Sequence, residues 1–212
     1  MDRIVHRVTC MAAHAMPKLL AGFELERLEV DPSAIVALDA DANIVWVNEA
    51  WLRFARENGG ERGVERIGPG ANYLNGIDPV LRGFYATAFE NVMLTGEPFE
   101  LDYECSSAET FRLFHMRALP IGHEGLIIVH SRLVERPHHR RGEPDNAALY
   151  RQATGMIVQC ANCRRVRRVD GSGWDWVPEY VRQTPDGATH GICSFCRAYY
   201  WGTPTRRARS QQ

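Results

Sequence analysis

The chain has 212 residues, a formal net charge of -1, 45% hydrophobic residues and 24% charged residues. That composition is ordinary for a globular protein and excludes a disordered chain, a collagen-like repeat and a highly charged tail protein. The length leaves room for one medium domain or two small ones. The average charge hides an asymmetry. Residues 1–150 carry 15 basic and 22 acidic side chains, and residues 151–212 carry 10 and 4, so an acidic body of −7 joins a basic quarter of +6. A split of this kind points to two units with different partners.

In chain order, residues 1–24 are a lead-in, with a short helix predicted around Leu19, Leu20, Phe23 and Leu28. Ala34–Leu38 and Ile44–Val47 are predicted strands of a hairpin, joined by an Asp- and Asn-rich turn. Asn48 is placed to cap a helix over Glu49–Glu57, which Asn58-Gly59-Gly60 ends. Gly63–Gly76 is loop-rich. Pro79–Thr95 reads as a long helix stopped by Gly96, with Val80, Leu81, Phe84, Ala88, Val92 and Met93 on one broad face. Phe99–Cys105, Phe111–Leu119 and Leu126–Val134 are three predicted strands. Residues 137–153 form a polar, proline-punctuated linker. The order describes an α+β domain with a five-stranded antiparallel sheet.

No stretch reaches the ~20 apolar residues that span a bilayer. Asp2, His6, Arg7 and His14 interrupt any signal-peptide run. A cytoplasmic, reducing location with no membrane partner is therefore expected, and there paired cysteines favour metal over disulfides. Of six cysteines, Cys10 and Cys105 stand alone, and Cys105 is expected as a small buried hydrophobe. Cys160, Cys163, Cys193 and Cys196 form two CxxC pairs separated by 29 residues. Each CxxC turn brings two sulfurs to one side, and four sulfurs suit tetrahedral Zn2+, with iron as the lesser alternative. Four thiolates leave no open position, so a structural site is expected. Between the pairs, Val166–Val169 is a predicted strand, Asp170–Gly173 a turn, and Trp174–Arg182 a short helix. His190 could replace one thiolate, although a supporting role is expected.

Two resemblances follow from these residues. I-V-A-L-D-A-D-A-N-I-V-W-V-N-E-A-W, with Asp39 and Asn48 bracketing the hairpin, resembles the opening of PAS domains. Gly68–Leu74, Phe99–Cys105 and Ile127–Ser131 are similar to a bacterial PAS subgroup. The chain keeps that subgroup's Tyr103, Cys105, Ser106, Arg112, Phe114 and His130 and departs at Glu104, Ser107 and Leu113. The likeness covers residues 25–136 and implies a sensory, dimerising domain around a ligand pocket. The ligand is unknown, and the candidate pocket residues are Tyr73, His115 and His130. The photosensor cysteine is replaced by Gly70-Ala71-Asn72-Tyr73, and the long helix has no His, which argues against covalent flavin and against the commonest haem arrangement.

Residues 158–201, with Cys160-Ala-Asn-Cys163-Arg-Arg-Val-Arg167, Gly173-Trp174, Pro178-Glu-Tyr180 and His190-Gly-Ile-Cys193-Ser-Phe-Cys196, resemble a zinc-ribbon-like module. That module ends many bacterial PAS proteins, histidine kinases and response regulators. The expected organisation is a lead-in (1–24), a PAS-like domain (25–136), a linker (137–153), a four-cysteine metal module (154–202) and a basic tail (203–212). No catalytic motif is present: there is no G-x-S-x-G, P-loop or H-E-x-x-H. The expectation is a non-enzymatic signalling protein, a homodimer through its PAS-like domain, that acts on a protein partner. The alternative is nucleic-acid binding through Arg164, Arg165, Arg167 and Arg168.

Overall fold

A computed structural model describes residues 18–58 and 67–202. The expectations for residues 1–17, including Cys10, and for the basic tail 203–212 lie outside the described residues. So does the stretch 59–66.

The lead-in contributes one 3-10 turn, Lys18–Leu20, whose Leu20 is fully buried. Helix α1 (Leu25–Glu29) precedes strands β1 (Ala34–Asp39) and β2 (Ile44–Val47). Asp39 builds the hairpin turn. Its Oδ1 accepts from the amides of Asp41 and Asn43, and its Oδ2 from the Asn43 side chain. Asn48 is fully buried and holds the other end. Its Oδ1 accepts from Ile35 N and from Trp51 N, which caps helix α2 (Glu49–Glu57). Its amide donates to the carbonyls of Leu28, Asp31 and Ser33. One side chain thus ties α1, β1 and α2 together, which explains why a buried asparagine is tolerated in an apolar core.

Helix α3 (Pro79–Thr95) starts where Asp78 caps Val80 N and Pro79 sets the first turn. It stops at Gly96, whose φ of 76° is readily adopted only without a Cβ. Strands β3 (Phe99–Glu104), β4 (Thr110–Ile121) and β5 (Gly125–Pro137) complete a five-stranded antiparallel sheet in the order β2-β1-β5-β4-β3. The fold is α+β, as the sequence pattern implies. β5 runs three residues beyond its expected end, because its charged C-terminal residues still pair with Thr110–Leu113.

The sheet's inner face (Val36, Leu38, Met116, Ala118, Leu126, Ile128) packs on Leu81, Tyr85, Phe89 and Val92 of α3. Tyr85 and Phe89 supply much of this contact, whereas Phe84 and Ala88 lie on a flank. The broad apolar face of α3 has two jobs: one stripe meets the sheet, and the flank meets the C-terminal module through Phe84 against Tyr200 and Trp201.

The stretch expected as linker carries helix α4 (Ala147–Tyr150). Its Tyr150 is fully buried in a second small core with Ile157, Val166, Val177 and Tyr180. A four-stranded sheet in the order β8-β7-β6-β9 follows, built from β6 (Ile157–Cys160), β7 (Val166–Arg167), β8 (Trp174–Asp175) and β9 (Ala188–Gly191). The helix expected over Trp174–Arg182 is only α5, Pro178–Arg182. Trp174 and Asp175 instead pair with Arg167 and Val166 as a hairpin, and Pro178 marks where helix can begin. Helix α6 (Ser194–Trp201) ends the described chain.

Candidate metal centre and His130 cleft

The 29 residues between the CxxC pairs return the chain beside its start. β9 runs parallel to β6, with Gln159 opposite His190 and Cys160 opposite Gly191. This register sets the second pair against the first. Among the described residues, Cys160, Cys163, Cys193 and Cys196 form one buried group whose sulfurs lie within 4.8 Å of one another. The Cys163–Cys193 sulfur separation is 3.7 Å. A tetrahedron with bonds of about 2.3 Å has an edge of about 3.8 Å, so the cage has the size of a tetrahedral metal thiolate site. The donor set is all sulfur, which fits zinc or iron and not a hard oxygen-seeking cation.

Local structure stabilises negative sulfur. Cys193 is the N-cap of α6, and its sulfur accepts from Cys196 N at 3.4 Å. Cys193 N donates to the Cys160 sulfur at 3.4 Å, and the Asn162 amide donates to the Cys196 sulfur at 3.3 Å. The first knuckle turns on Arg164, which adopts a φ of 62°, uncommon for a side-chain-bearing residue. The buried Gln159 holds it there. Its Oε1 accepts from Arg164 Nε, and its amide donates to the carbonyls of Arg164 and Tyr180. Four thiols this close share their protons, and a divalent ion would take all four as thiolates.

His190 does not join the cage. Its Nδ1 lies 2.8 Å from Asp78, the cap of α3. It is one of several links between the sheet domain and the residues that follow it. Arg140 pairs bidentately with Glu104 at 2.6 and 2.8 Å, with both side chains largely buried. Tyr199 donates to the Asp102 carbonyl at 2.8 Å, and Arg182 pairs with Glu109. The four cysteines belong to the same core cluster as Val36, Leu38 and Phe89.

The second candidate site lies inside the sheet domain. Tyr73 Oη is 3.2 Å from His130 Nε2, and Tyr103 Oη is 2.9 Å from His130 Nδ1. His130 is 5% exposed, and burial lowers its pKa to about 4, so the ring is neutral. A neutral imidazole accepts at one nitrogen and donates at the other, so each phenol has one definite role. Trp51, Tyr73 and Phe89 pack around the cluster. His130 also lines a cleft of about 510 Å³ with Ser33, Arg53, Phe54, Phe114, Ser131 and Arg132.

Two of the three candidate pocket residues thus meet, and the third does not. His115 lies between the buried Phe114 and Met116, so strand alternation turns it to the opposite face. There it pairs with Asp102 at 2.7 Å. Tyr103 completes the cluster, and its parity with Phe99 and Leu101 was the available signal. Cys105, expected as buried, is exposed just past the end of β3. Of the four arginines by the first knuckle, Arg168 pairs with Asp175, Arg164 is tied to Gln159, Arg165 is half-buried and Arg167 is exposed.

No family model matches the chain. Over 124 residues it is 28% identical to an uncharacterised 104.1 kDa protein in the hypE 3′ region of Rhodobacter capsulatus. The alignment takes in 54% of this chain and 13% of that protein, so the chain spans only a small part of its relative's length. Among solved structures it overlaps the PAS domain of the histidine kinase ThkA. There the identity is 23%, the coverage is 47% of this chain and 97% of that one, and the TM-score is 0.32. It also overlaps the phage VqmA–DPO complex, with 15% identity, coverage of 52% and 51%, and a TM-score of 0.39. At TM-scores this low, neither overlap speaks to what the chain does. No helix among the described residues is long and apolar enough to cross a membrane.

Proposed function

We propose that the chain is a non-catalytic cytoplasmic signalling protein, a homodimer through its PAS-like domain. That domain takes a small ligand at the His130 cleft, and a structural zinc in the four-cysteine cage holds the module that passes the state to a protein partner. The observation that carries this reading is the His130 cluster. Two half-buried phenols, Tyr73 and Tyr103, hold the buried His130 imidazole between them in a largely apolar interior, with His130 opening onto a cleft. Buried polar groups of this kind persist where they serve specificity or binding. Arg53 and Arg132, against the one carboxylate of Glu57, and the Phe54 and Phe114 walls favour a small organic acid with an apolar body, which would compete with Glu135 for Arg132. Cys160, Cys163, Cys193 and Cys196 would hold the zinc, which supplies folding free energy that a core of this size lacks. The internal pairing of Arg164 and Arg168 favours a protein partner over nucleic acid.

The test combines elemental analysis and absorbance of the purified chain with thermal-shift titration against aliphatic and aromatic monocarboxylates. One zinc per chain, no visible chromophore, and a shift that His130→Ala abolishes are expected. A Soret or flavin band overturns the colourless pocket, and equal shifts in wild type and His130→Ala overturn the cleft. For the nucleic-acid alternative, a steep fall of binding with salt is required.

A further inference from the structure

One hydrogen-bonded line crosses from the sheet domain to the cysteine cage. Asn162 Nδ2 donates to the Cys196 sulfur at 3.3 Å. The Asn162 carbonyl oxygen accepts from Tyr200 Oη at 3.0 Å. The Tyr200 oxygen lies 3.3 Å from Tyr85 Oη on α3. Each phenol has a single proton. Tyr200 gives its proton to Asn162, so Tyr85 is the donor in the last pair. Every donor in the line therefore points toward the sulfur. Such a chain polarises in one sense and strengthens the final bond to a charged acceptor. Tyr200 and Tyr85 are both buried, at 7% and 5% exposed, so water does not readily replace either partner. Burial also pushes both phenols up, which keeps them protonated donors.

We infer that Tyr85, on the sheet domain's long helix, is a positioning residue for the metal cage, acting on the Cys196 thiolate through Tyr200 and Asn162. The inference rests on the metal reading of the cage. The Tyr200 hydrogen bond fixes which end of the Asn162 amide faces the sulfur. The Tyr85 bond fixes the rotor of the Tyr200 hydroxyl. A shift of α3 is then felt at the Cys196 thiolate without any change in the ligands. On the other side, the Tyr85 ring lies against Phe89, Phe89 against Tyr73, and Tyr73 on His130. The line from the cage therefore ends beside the polar cluster whose His130 lines the cleft.

The experiment uses the full chain loaded with Co2+ for spectroscopy and with Zn2+ for exchange. The readouts are the cobalt–thiolate charge-transfer band and the rate of zinc transfer to a chromophoric chelator. Asn162→Ala is expected to weaken metal retention about tenfold. Tyr85→Phe, which keeps the ring and removes only the oxygen, is expected to weaken it about fivefold. Both should move the cobalt band. The Tyr85→Phe/Asn162→Ala double variant should match Asn162→Ala alone, because the line is already cut. Tyr150→Phe removes a comparable hydroxyl, bonded to Asp175, and should leave both readouts at the wild-type value. A Tyr85→Phe protein that melts lower but keeps the wild-type band and exchange rate has lost packing only, and overturns the inference. Full additivity in the double variant does the same. If the wild type takes up no cobalt, the metal reading itself fails and the inference with it.

Discussion

His130 makes the stability of the sheet domain depend on acidity, with a sign and size set by its burial. In the folded chain its pKa is lowered to about 4 from an ordinary 6.5, chiefly because the charged ring loses its hydration. Unfolding exposes the ring, which then binds a proton at any pH below about 6.5. Between these values the unfolded chain holds more protons than the folded one, so stability rises with pH and is lost as pH falls. The contribution is whole above about pH 6.5. About 2 kcal/mol is lost between pH 7 and pH 5, and about 3 kcal/mol once pH has passed below 4. The groups packed on the ring are Tyr73, Tyr103 and Trp51, all uncharged in this window. Arg53, Glu57 and Arg132 share only the cleft.

The assay is urea unfolding at several pH values for wild type and His130→Phe, each with saturating zinc and again with chelator. Acid also strips thiolate-bound metal, but that loss is common to both proteins and cancels in their difference. The wild type should lose about 2 kcal/mol more than His130→Phe on going from pH 7 to pH 5. Equal losses in the two proteins would show that His130 is not held neutral in the fold, and would remove the basis for a buried polar cluster.

Three further changes probe other parts of the structure. Cys193→Ser removes a proposed ligand while leaving a side chain able to cap α6, so metal stoichiometry should fall toward zero. Hydrogen exchange should then show loss of protection over residues 157–201 and on the flank of α3 bearing Phe84, with the five-stranded sheet still protected. Arg140→Ala leaves Glu104 buried and unpaired and should cost about 3 kcal/mol in urea unfolding. The double change Arg140→Met/Glu104→Leu should recover most of that loss. Asn48→Ala strands three carbonyls and two amides at once and should cost about 4 kcal/mol, measured the same way.

Local rules carried much of the architecture. Pro79 and Gly96 mark the ends of α3 in the sequence because helix starts and stops act on neighbouring residues. The two CxxC pairs announce a cage because the spacing within each pair is covalent. Asp39 and Asn48 stand where the PAS resemblance puts them, and their hydrogen bonds explain why those residue types are needed there. What escaped the sequence is what depends on distant partners. Tyr85 and Tyr200 are 115 positions apart, and no periodicity links them. Trp174 looks helical beside Val177 and Val181, but a two-residue ladder with Val166 and Arg167 decides its conformation. His115 was a missed opportunity rather than a hidden fact. Strand parity with Phe114 and Met116 already turned it away from Tyr73 and His130.

The divided charge of the chain suggested two units with separate partners, yet the two units meet in one core. Phe84 and Tyr85 on α3 face Tyr200 across that contact, and the cysteines cluster with side chains of the five-stranded sheet. Three acids meet later residues across this boundary: Glu104 and Glu109 form ion pairs with Arg140 and Arg182, and Asp78 meets the His190 ring. In all three the acid comes from the sheet domain and the base from the segment after it. Of these, the Glu109–Arg182 ion pair joins the acidic first 150 residues to the basic remainder, so a small part of the charge asymmetry is consumed inside the molecule. A displacement of α3 relative to the C-terminal module would separate Phe84 and Tyr85 from Tyr200, and Asp78 from His190.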